Sequence, residues 1–400
     1  MGLSYRKKSV EQIDVRGKRV FLRADLNVPL DEHQNITNDR RIRASLATIQ
    51  YLVDHGAAVV LASHLGRPKG KVKPELSLKP IAARLAELLG REVKMAPDCI
   101  GPEVQAMAQA LKPGEVLLLE NVRFHPEEEK NDPEFSKALA SLADVYVSDA
   151  FGTMHRAHAS TEGITQFLKP AVAGFLIAKE LKYLGRALAD PERPLVVILG
   201  GAKVGSKIAV ITNLLKLADT IVIGGGMAYT FYKVQGLEIG DSLFDAESAD
   251  VAKQILEDAR KSGKKFLLPV DCVVADKFDN NAQHKVVDVD AIPAGWMGMD
   301  IGPKTINLIT REVQGAKTVV WNGPVGVFEM DTFAKGTFAV AEALVHSHAV
   351  TVLGGGETAM AAEKFGLDDK MSLVSTGGGA SLEFMEGRVL PGIAALDEAE

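Results

Sequence analysis

The stretch Gly200-Gly201-Ala202-Lys203-Val204-Gly205-Ser206-Lys207 follows the apolar run Leu195 to Leu199 and opens a helix-forming segment. At such a strand-to-helix turn, backbone N–H groups without helical partners can receive a phosphate while Lys203 and Lys207 neutralise it. A P-loop needs Gly-Lys directly before Ser or Thr. This chain has Gly205-Ser206-Lys207, so Walker-type lysine and magnesium roles do not transfer. Taken alone, the motif also fits a tight turn with surface lysines.

Gly224-Gly225-Gly226, Gly354-Gly355-Gly356 and Gly377-Gly378-Gly379 repeat the same grammar after apolar segments. Glycine lets a ligand approach the backbone closely, and open α/β sheets bind ligands at the carboxyl ends of their strands. Together the runs point to a nucleotide along one edge of the second half, with purely structural turns as the alternative. Trp321-Asn322-Gly323-Pro324-Val325-Gly326-Val327-Phe328-Glu329 adds rigid turns and a carboxylate able to accept from ribose hydroxyls. Glu357 is the best metal-side carboxylate, since a magnesium nucleotide needs few protein ligands. It reads equally well as a helix N-terminal charge.

The first half carries a different chemistry. Arg23 with Asp25 and Asn27, then Arg41, His64 with Arg67, Arg123, and His155-Arg156 lie just beyond apolar runs or beside turns. In an α/β fold successive loops converge on one face, so these dispersed residues can build an anion pocket, where arginine offers several planar donors to phosphate or carboxylate. The competing reading is a set of surface ion pairs. Asp25 and Asn27 either orient a hydroxylated ligand or stabilise the turn before Pro29.

The elements that must position these residues alternate. Arg19 to Arg23, Ala57 to Ser63, Glu92 to Ala96, Val116 to Leu119 and Val145 to Val147 read as strands, with helices at Ile42 to His55, Leu78 to Leu89 and Phe135 to Ser141. Phe175 to Leu188 reads as a linker helix stopped by Asp190-Pro191-Glu192-Arg193-Pro194. The second half restarts with strands at Leu195 to Leu199, Thr220 to Ile223, Phe266 to Pro269, Thr318 to Trp321, Val350 to Leu353 and Met371 to Val374, and a helix at Ile208 to Leu217. Asp276 to Gln283 reads as an exposed loop or hairpin excursion. No exact internal repeat and no low-complexity tract is present.

The 400 residues, 46% hydrophobic, exclude a disordered chain and predict two or three domains. A net charge of −6 gives no electrostatic reason to expect nucleic acid. Met1 to Val10 lacks an apolar signal-peptide core and no run approaches the length of a membrane span, so a cytoplasmic protein without membrane attachment is expected. Cys99 and Cys272 are too few and too far apart for a metal knuckle and are given no chemical role.

With these residues in place, the chain strongly resembles the phosphoglycerate kinases over nearly its whole length. The resemblance runs through Arg23-Ala24-Asp25-Leu26-Asn27-Val28-Pro29, Ser63-His64-Leu65-Gly66-Arg67-Pro68, Glu120-Asn121-Val122-Arg123-Phe124-His125 and Asp149-Ala150-Phe151-Gly152-Thr153-Met154-His155-Arg156-Ala157-His158. It continues through Gly200 to Lys207, Trp321 to Glu329 and Gly354 to Thr358. It implies an α/β protein of two similar-sized, three-layer αβα Rossmann-like lobes with parallel-sheet cores, joined by a linker helix and hinge. The implied divisions are an N-terminal triose-phosphate domain, 1–172, completed in space by 388–400, a linker helix, 173–190, and a nucleotide domain, 191–387.

The resemblance also implies a monomer that, with Mg²⁺, transfers a phosphoryl group reversibly between 1,3-bisphosphoglycerate plus ADP and 3-phosphoglycerate plus ATP, in glycolysis and gluconeogenesis. Asp25, Asn27, Arg41, His64, Leu65, Gly66, Arg67, Arg123 and Arg156 match the triose-side positions. Lys203, Lys207, Gly298, Asn322, Glu329, Gly355, Gly356, Glu357 and Thr358 match the nucleotide side. Arg41 and Lys203 are the expected catalytic residues and Glu357 the expected metal ligand. The family commonly has Asp where this chain has Glu357; Arg40, beside Arg41, is left as a flanking charge. A carboxylate acceptor is already ionised near neutral pH, so the reaction needs no strong general base. A dinucleotide-dependent dehydrogenase is the second enzyme reading, but neither half opens with Gly-x-Gly-x-x-Gly. A noncatalytic metabolite-binding scaffold is the remaining class.

Overall fold

The structure, a computed structural model, describes residues 5–400. Residues 1–4, which open the expected first domain and the Met1 to Val10 segment, lie outside the described residues. The chain forms two units: one runs to Lys182 and regains Val389–Glu400, and the other is Tyr183–Arg388.

In the first unit, β1 (Arg19–Arg23), β2 (Ala58–Ala62), β3 (Val93–Met95), β4 (Val116–Leu118), β5 (Val145–Ser148) and β6 (Ala171–Ala173) form one parallel sheet in the order β3-β4-β2-β1-β5-β6. Helices cover parallel strands, so β2 is buried at every residue and reads as an unbroken apolar run. The helix Arg40–Asp54 lays Ile42, Ile49, Leu52 and Val53 into the core that also holds Val20, Leu22, Val59 and Leu61. Each such side chain contributes about 1.5–3 kcal/mol through removal from water. The chain end returns to this unit: Asp397 N–H donates to Ala171 O at 2.8 Å and Gly392 N–H to Met154 O at 3.0 Å. From β1 the sheet grows to β2 on one side and β5 on the other, which creates a crevice at their carboxyl ends.

In the second unit, β7 (Leu195–Leu199), β8 (Thr220–Ile223), β9 (Lys265–Leu267), β13 (Thr318–Asn322), β14 (Val350–Gly354) and β15 (Leu373–Val374) form a parallel sheet ordered β15-β14-β13-β7-β8-β9. Counted within the sheet, this is the doubly wound order 3-2-1-4-5-6, with the reversal between β7 and β13. A second sheet joins β10 (Asp271–Ala275), β11 (His284–Asp288) and β12 (Met297–Ile301) in antiparallel fashion. The Asp276 to Gln283 excursion connects β10 to β11. The hairpin alternative for Asp276 to Gln283 fits the β10–β11 pair, but neither flanking strand nor β12 is predicted from the sequence. Exposure along most of β11 leaves it without an apolar alternation to detect.

The segment expected as a helix from Phe175 to Leu188 is helical from Phe175 to Ala189, with a π-helical stretch at Leu181–Gly185. Among the described residues, no helix is long and apolar enough to cross a membrane.

Candidate functional site

The carboxyl ends of β1, β2, β4 and β5 deliver the basic residues of the first unit to one place. Arg41, on the first turn of its helix, donates to Asp25 Oδ1 at 3.3 Å and to Asn27 O at 3.0 Å. Asn27 Oδ1 accepts from Gly66 N–H at 2.9 Å, and Arg123 donates to Gly66 O at 3.3 Å. Leu65 O accepts from Asn121 Nδ2 at 2.8 Å, and Asn121 Oδ1 in turn holds the Arg123 N–H at 3.1 Å. Asn121 thus ties the β2 loop to the β4 loop.

His64 is buried at the centre of this network. Burial, followed by the charges of Arg23, Arg123, Arg41 and His158, pushes it well below the ordinary histidine range, so it is neutral at pH 7. Arg23 donates to His64 Nδ1 at 3.0 Å. A guanidinium has no acceptor, so Nδ1 carries the lone pair and Nε2 the hydrogen. Arg23 is itself fixed by donation to Ser160 Oγ at 2.8 Å and Ala24 O at 2.5 Å, while the buried Glu128 carboxylate accepts from Ser160 N–H and Oγ, both at 2.6 Å.

His158 is pushed down to about 4 by burial and by Arg123, Arg23 and Arg156. Arg123 is lowered by burial and then by Arg23. These mutual shifts mark a pocket of concentrated positive charge. Arg156 is exposed and acts on it through His158 and Arg123. Arg67 is exposed just beyond Gly66 and takes no part in the hydrogen bonds above. The sequence marks Arg23 as one of the basic residues beyond a strand, but its action through His64 is not visible along the chain. Nor does the sequence single out His158, Ser160 or Glu128. His158 closes the Asp149-to-His158 motif, which was the available signal; Glu128 sits in the acidic run Glu127-Glu128-Glu129, which reads as surface.

In the second unit the backbone itself forms the site. Gly200 N–H donates to Asn322 O at 2.9 Å and Gly201 N–H to Pro324 O at 3.2 Å across the β7/β13 reversal. A Cβ at Gly200 would stand 2.0 Å from Pro324 O, so glycine is required there. Asn322 is buried, accepts from Lys207 Nζ and donates to Gly354 O at 2.9 Å. Thr358 Oγ1 accepts from Gly323 N–H at 2.7 Å. Burial lowers Lys207, with Glu357 opposing that shift. Gly355, at φ 94°, caps the helix that Gly356 begins and on whose first turn Glu357 stands.

Beside this junction lies a cavity of about 470 Å³. Gly201, Ala202, Gly225 and Gly226 line one side, Gly298 and Tyr229 another, and Pro324, Glu329 and Glu357 reach it from β13 and β14. A Cβ at Gly298 would come 1.9 Å from the Tyr229 ring, so glycine keeps that wall flat. Gly298 N–H is held by Ser242 Oγ at 2.9 Å. Lys203 is exposed near Asp245, whose carboxyl is lowered first by the Gly205 N–H and to a lesser degree by the Lys203 charge, and it is not among the lining residues. Asp300 also lines the cavity. Burial pushes it up to about 8 despite N–H donation from Gly336 and Ile301, so it is mostly uncharged at pH 7. Sequence reasoning missed Asp300 and Tyr229, whose surroundings no local motif signals.

The arrangement offers a concave, glycine-walled cavity with convergent polar groups in one unit and a cationic pocket in the other, suited to a nucleotide and to a small anion. The family profile described as "Phosphoglycerate kinase" matches residues 10–388. The cytosolic phosphoglycerate kinase of Triticum aestivum is 59% identical over 391 residues, covering 97% of each chain. The phosphoglycerate kinase of Chloroherpeton thalassium is 58% identical over 397 residues, covering 98% of this chain and all of that one. Among solved structures, phosphoglycerate kinase from Coxiella burnetii superposes with a TM-score of 0.92 at 43% identity, covering 97% of this chain and 98% of that one.

Proposed function

The chain belongs to the phosphoglycerate kinase family, and we propose that it divides the family's reaction between its units, the cationic pocket holding the triose phosphate and the glycine-walled cavity the nucleotide. The reaction is reversible phosphoryl transfer between 1,3-bisphosphoglycerate plus ADP and 3-phosphoglycerate plus ATP.

On the triose side the proposed contacts are Arg41, His64, Leu65, Gly66, Arg67, Arg123 and Arg156, with Asp25 and Asn27 toward the hydroxyl. The observation that carries this assignment is the concentration of arginines around a neutral His64, only partly balanced by Asp25, Glu128 and Glu129, which favours a ligand with several negative charges. Nε2–H of His64 donates to that ligand. Arg41 is proposed to stabilise the transferring group, since phosphoryl transfer is governed by alignment and charge rather than by proton abstraction.

On the nucleotide side, Lys203, Lys207, Gly298, Asn322, Glu329 and Gly355 to Thr358 are the proposed contacts, with Lys203 acting on the transferring group. The exposed position of Lys203 supports that assignment by leaving its ammonium available to an incoming phosphate. Lys207, half-buried and held by Asn322, has its charge destabilised until an anion arrives. Glu357 fits a magnesium nucleotide: it is among the residues lining the cavity, on a helix first turn, and Mg²⁺ prefers the oxygen ligands a carboxylate offers. When bound, the ion neutralises phosphate charge, and Glu357 is the residue that would hold it.

We also propose a cytosolic protein, a reading supported by the relatives from Triticum aestivum and Nicotiana tabacum described as cytosolic, and a monomer, which the family resemblance implies. The direct test is a coupled assay with 3-phosphoglycerate and Mg-ATP, repeated without metal. Rapid metal-dependent ADP formation is expected; binding of both substrates without turnover would instead indicate a scaffold.

A further inference from the structure

We propose that Asp98, Cys99 and His125, at the edge of the first unit's sheet, form a binding site for a zinc-class divalent cation. Asp98 and Cys99 lie in the turn after β3, and His125 follows the short turn after β4. These two strands pair in parallel, Met95 opposite Leu118, so both loops leave the sheet at the same end. One potential ligand atom from each of the three side chains falls within 4.8 Å of the others. Asp98 Oδ1 is 2.7 Å from His125 Nε2 and also accepts from Cys99 N–H at 2.7 Å. The His125 ring is steadied against Phe135 at 5.3 Å between centroids.

The donors determine the class of ion. Sulfur, imidazole nitrogen and one carboxylate oxygen suit Zn²⁺, whereas Mg²⁺ prefers oxygen alone. With Cys99 buried but Asp98 and His125 partly open to water, the site offers three protein ligands and room for a fourth from solvent. Zinc bonds of 2.0–2.3 Å place tetrahedral ligand atoms roughly 3.3–3.8 Å apart. The Asp98–His125 pair therefore has to open by somewhat under an ångström, which a carboxylate rotation supplies. On binding, the Cys99 thiol loses its proton to solvent as the metal–sulfur bond forms. The His125 hydrogen moves from Nε2 to Nδ1 through water, so one proton is released per ion. The carboxylates of Asp98 and Glu128 both act on the thiol electrostatically, and a negative field of that kind favours a cation. Because Arg123 lies two residues before His125, an ion here would brace the loop that delivers this arginine to the cationic pocket.

The test uses the full chain, free of nucleotide, stripped with a chelator and titrated with Co²⁺ and then Zn²⁺. One equivalent of Co²⁺ should bind with a near-ultraviolet thiolate-to-metal band, displaced by one equivalent of Zn²⁺ and untouched by excess Mg²⁺. Cys99→Ser should abolish the band, His125→Gln and Asp98→Asn should weaken Zn²⁺ binding by about tenfold or more, and Cys272→Ser should leave the band and the affinity unchanged. Circular dichroism and urea midpoints establish that each variant is folded. Absence of the band, its survival in folded Cys99→Ser, or unchanged Zn²⁺ affinity in His125→Gln would overturn the proposal.

Discussion

Arg23 and His64 are both buried, and the guanidinium donates to His64 Nδ1 at 3.0 Å, fixing the imidazole with its hydrogen on Nε2. Arg23 thereby acts through another residue. Arg23→Lys keeps the charge but loses the fork that reaches Ser160, Ala24 O and His64 together. A histidine nitrogen left unpaired costs about 1–3 kcal/mol, so the KM for 3-phosphoglycerate should rise roughly 5- to 150-fold while ADP affinity holds. Steady-state kinetics against both substrates checks this, and an unchanged KM would remove Arg23 from the positioning role.

Arg41→Ala should lower kcat by about 10²–10³-fold, the effect of removing one preorganised donor to developing charge. Among the described residues its guanidinium hydrogen-bonds to Asp25 and to Asn27, both in the first unit, so ADP affinity measured by calorimetry should stay within about twofold. Near-normal turnover at saturating substrates would reject the proposed role.

Two glycines in similar-looking runs should respond differently to alanine. Gly200→Ala drives a Cβ against Pro324 O and should destabilise the second unit by about 1–3 kcal/mol or more and abolish ADP binding. At Gly356 a Cβ meets nothing within 4 Å, so Gly356→Ala should leave stability within about 0.5 kcal/mol. Thermal unfolding of both variants makes the comparison; equal losses would contradict the backbone crossing at the β7/β13 reversal.

Asp149 accepts from Thr48 Oγ1 at 2.6 Å and from Leu176 N–H at 2.8 Å, holding the start of the helix Phe175–Glu180. Burial pushes its carboxyl from 3.8 up to about 6. Between those values the folded chain binds the proton more tightly, so this contribution to stability is full below about pH 3.8 and is lost as pH rises through about 6. The gap corresponds to about 3 kcal/mol. Urea unfolding should show the stability of the wild type falling relative to that of Asp149→Asn by up to about 3 kcal/mol between pH 4 and pH 7; a pH-independent difference would refute the assignment.

Glu357→Gln should raise the Mg²⁺ concentration needed for half-maximal rate by about tenfold, because a neutral amide is a poorer ligand for a hard cation. Glu357→Asp should recover most of the loss. If Glu357→Gln leaves the Mg²⁺ dependence unchanged, the ion is held elsewhere.

The sequence by itself determined the alternating α/β architecture, because strands buried on both faces leave short apolar runs and amphipathic helices leave a separate period. Its long ordered motifs also determined the family. It marked Gly200, Gly354 and Arg123 as candidates, since unusual glycine runs and arginines next to strand ends are visible residue by residue. Only the tertiary structure decided that Gly200 must lie against Pro324, that Asp300 is buried at the cavity with its carboxyl pushed up to about 8, and that Arg23 acts on His64 rather than directly. It alone brought Cys99, dismissed as an isolated thiol, beside Asp98 and His125. Strand order decides which distant loops become neighbours, and a pKa depends on burial and on charges brought close in space. Neither can be read from spacing along the chain.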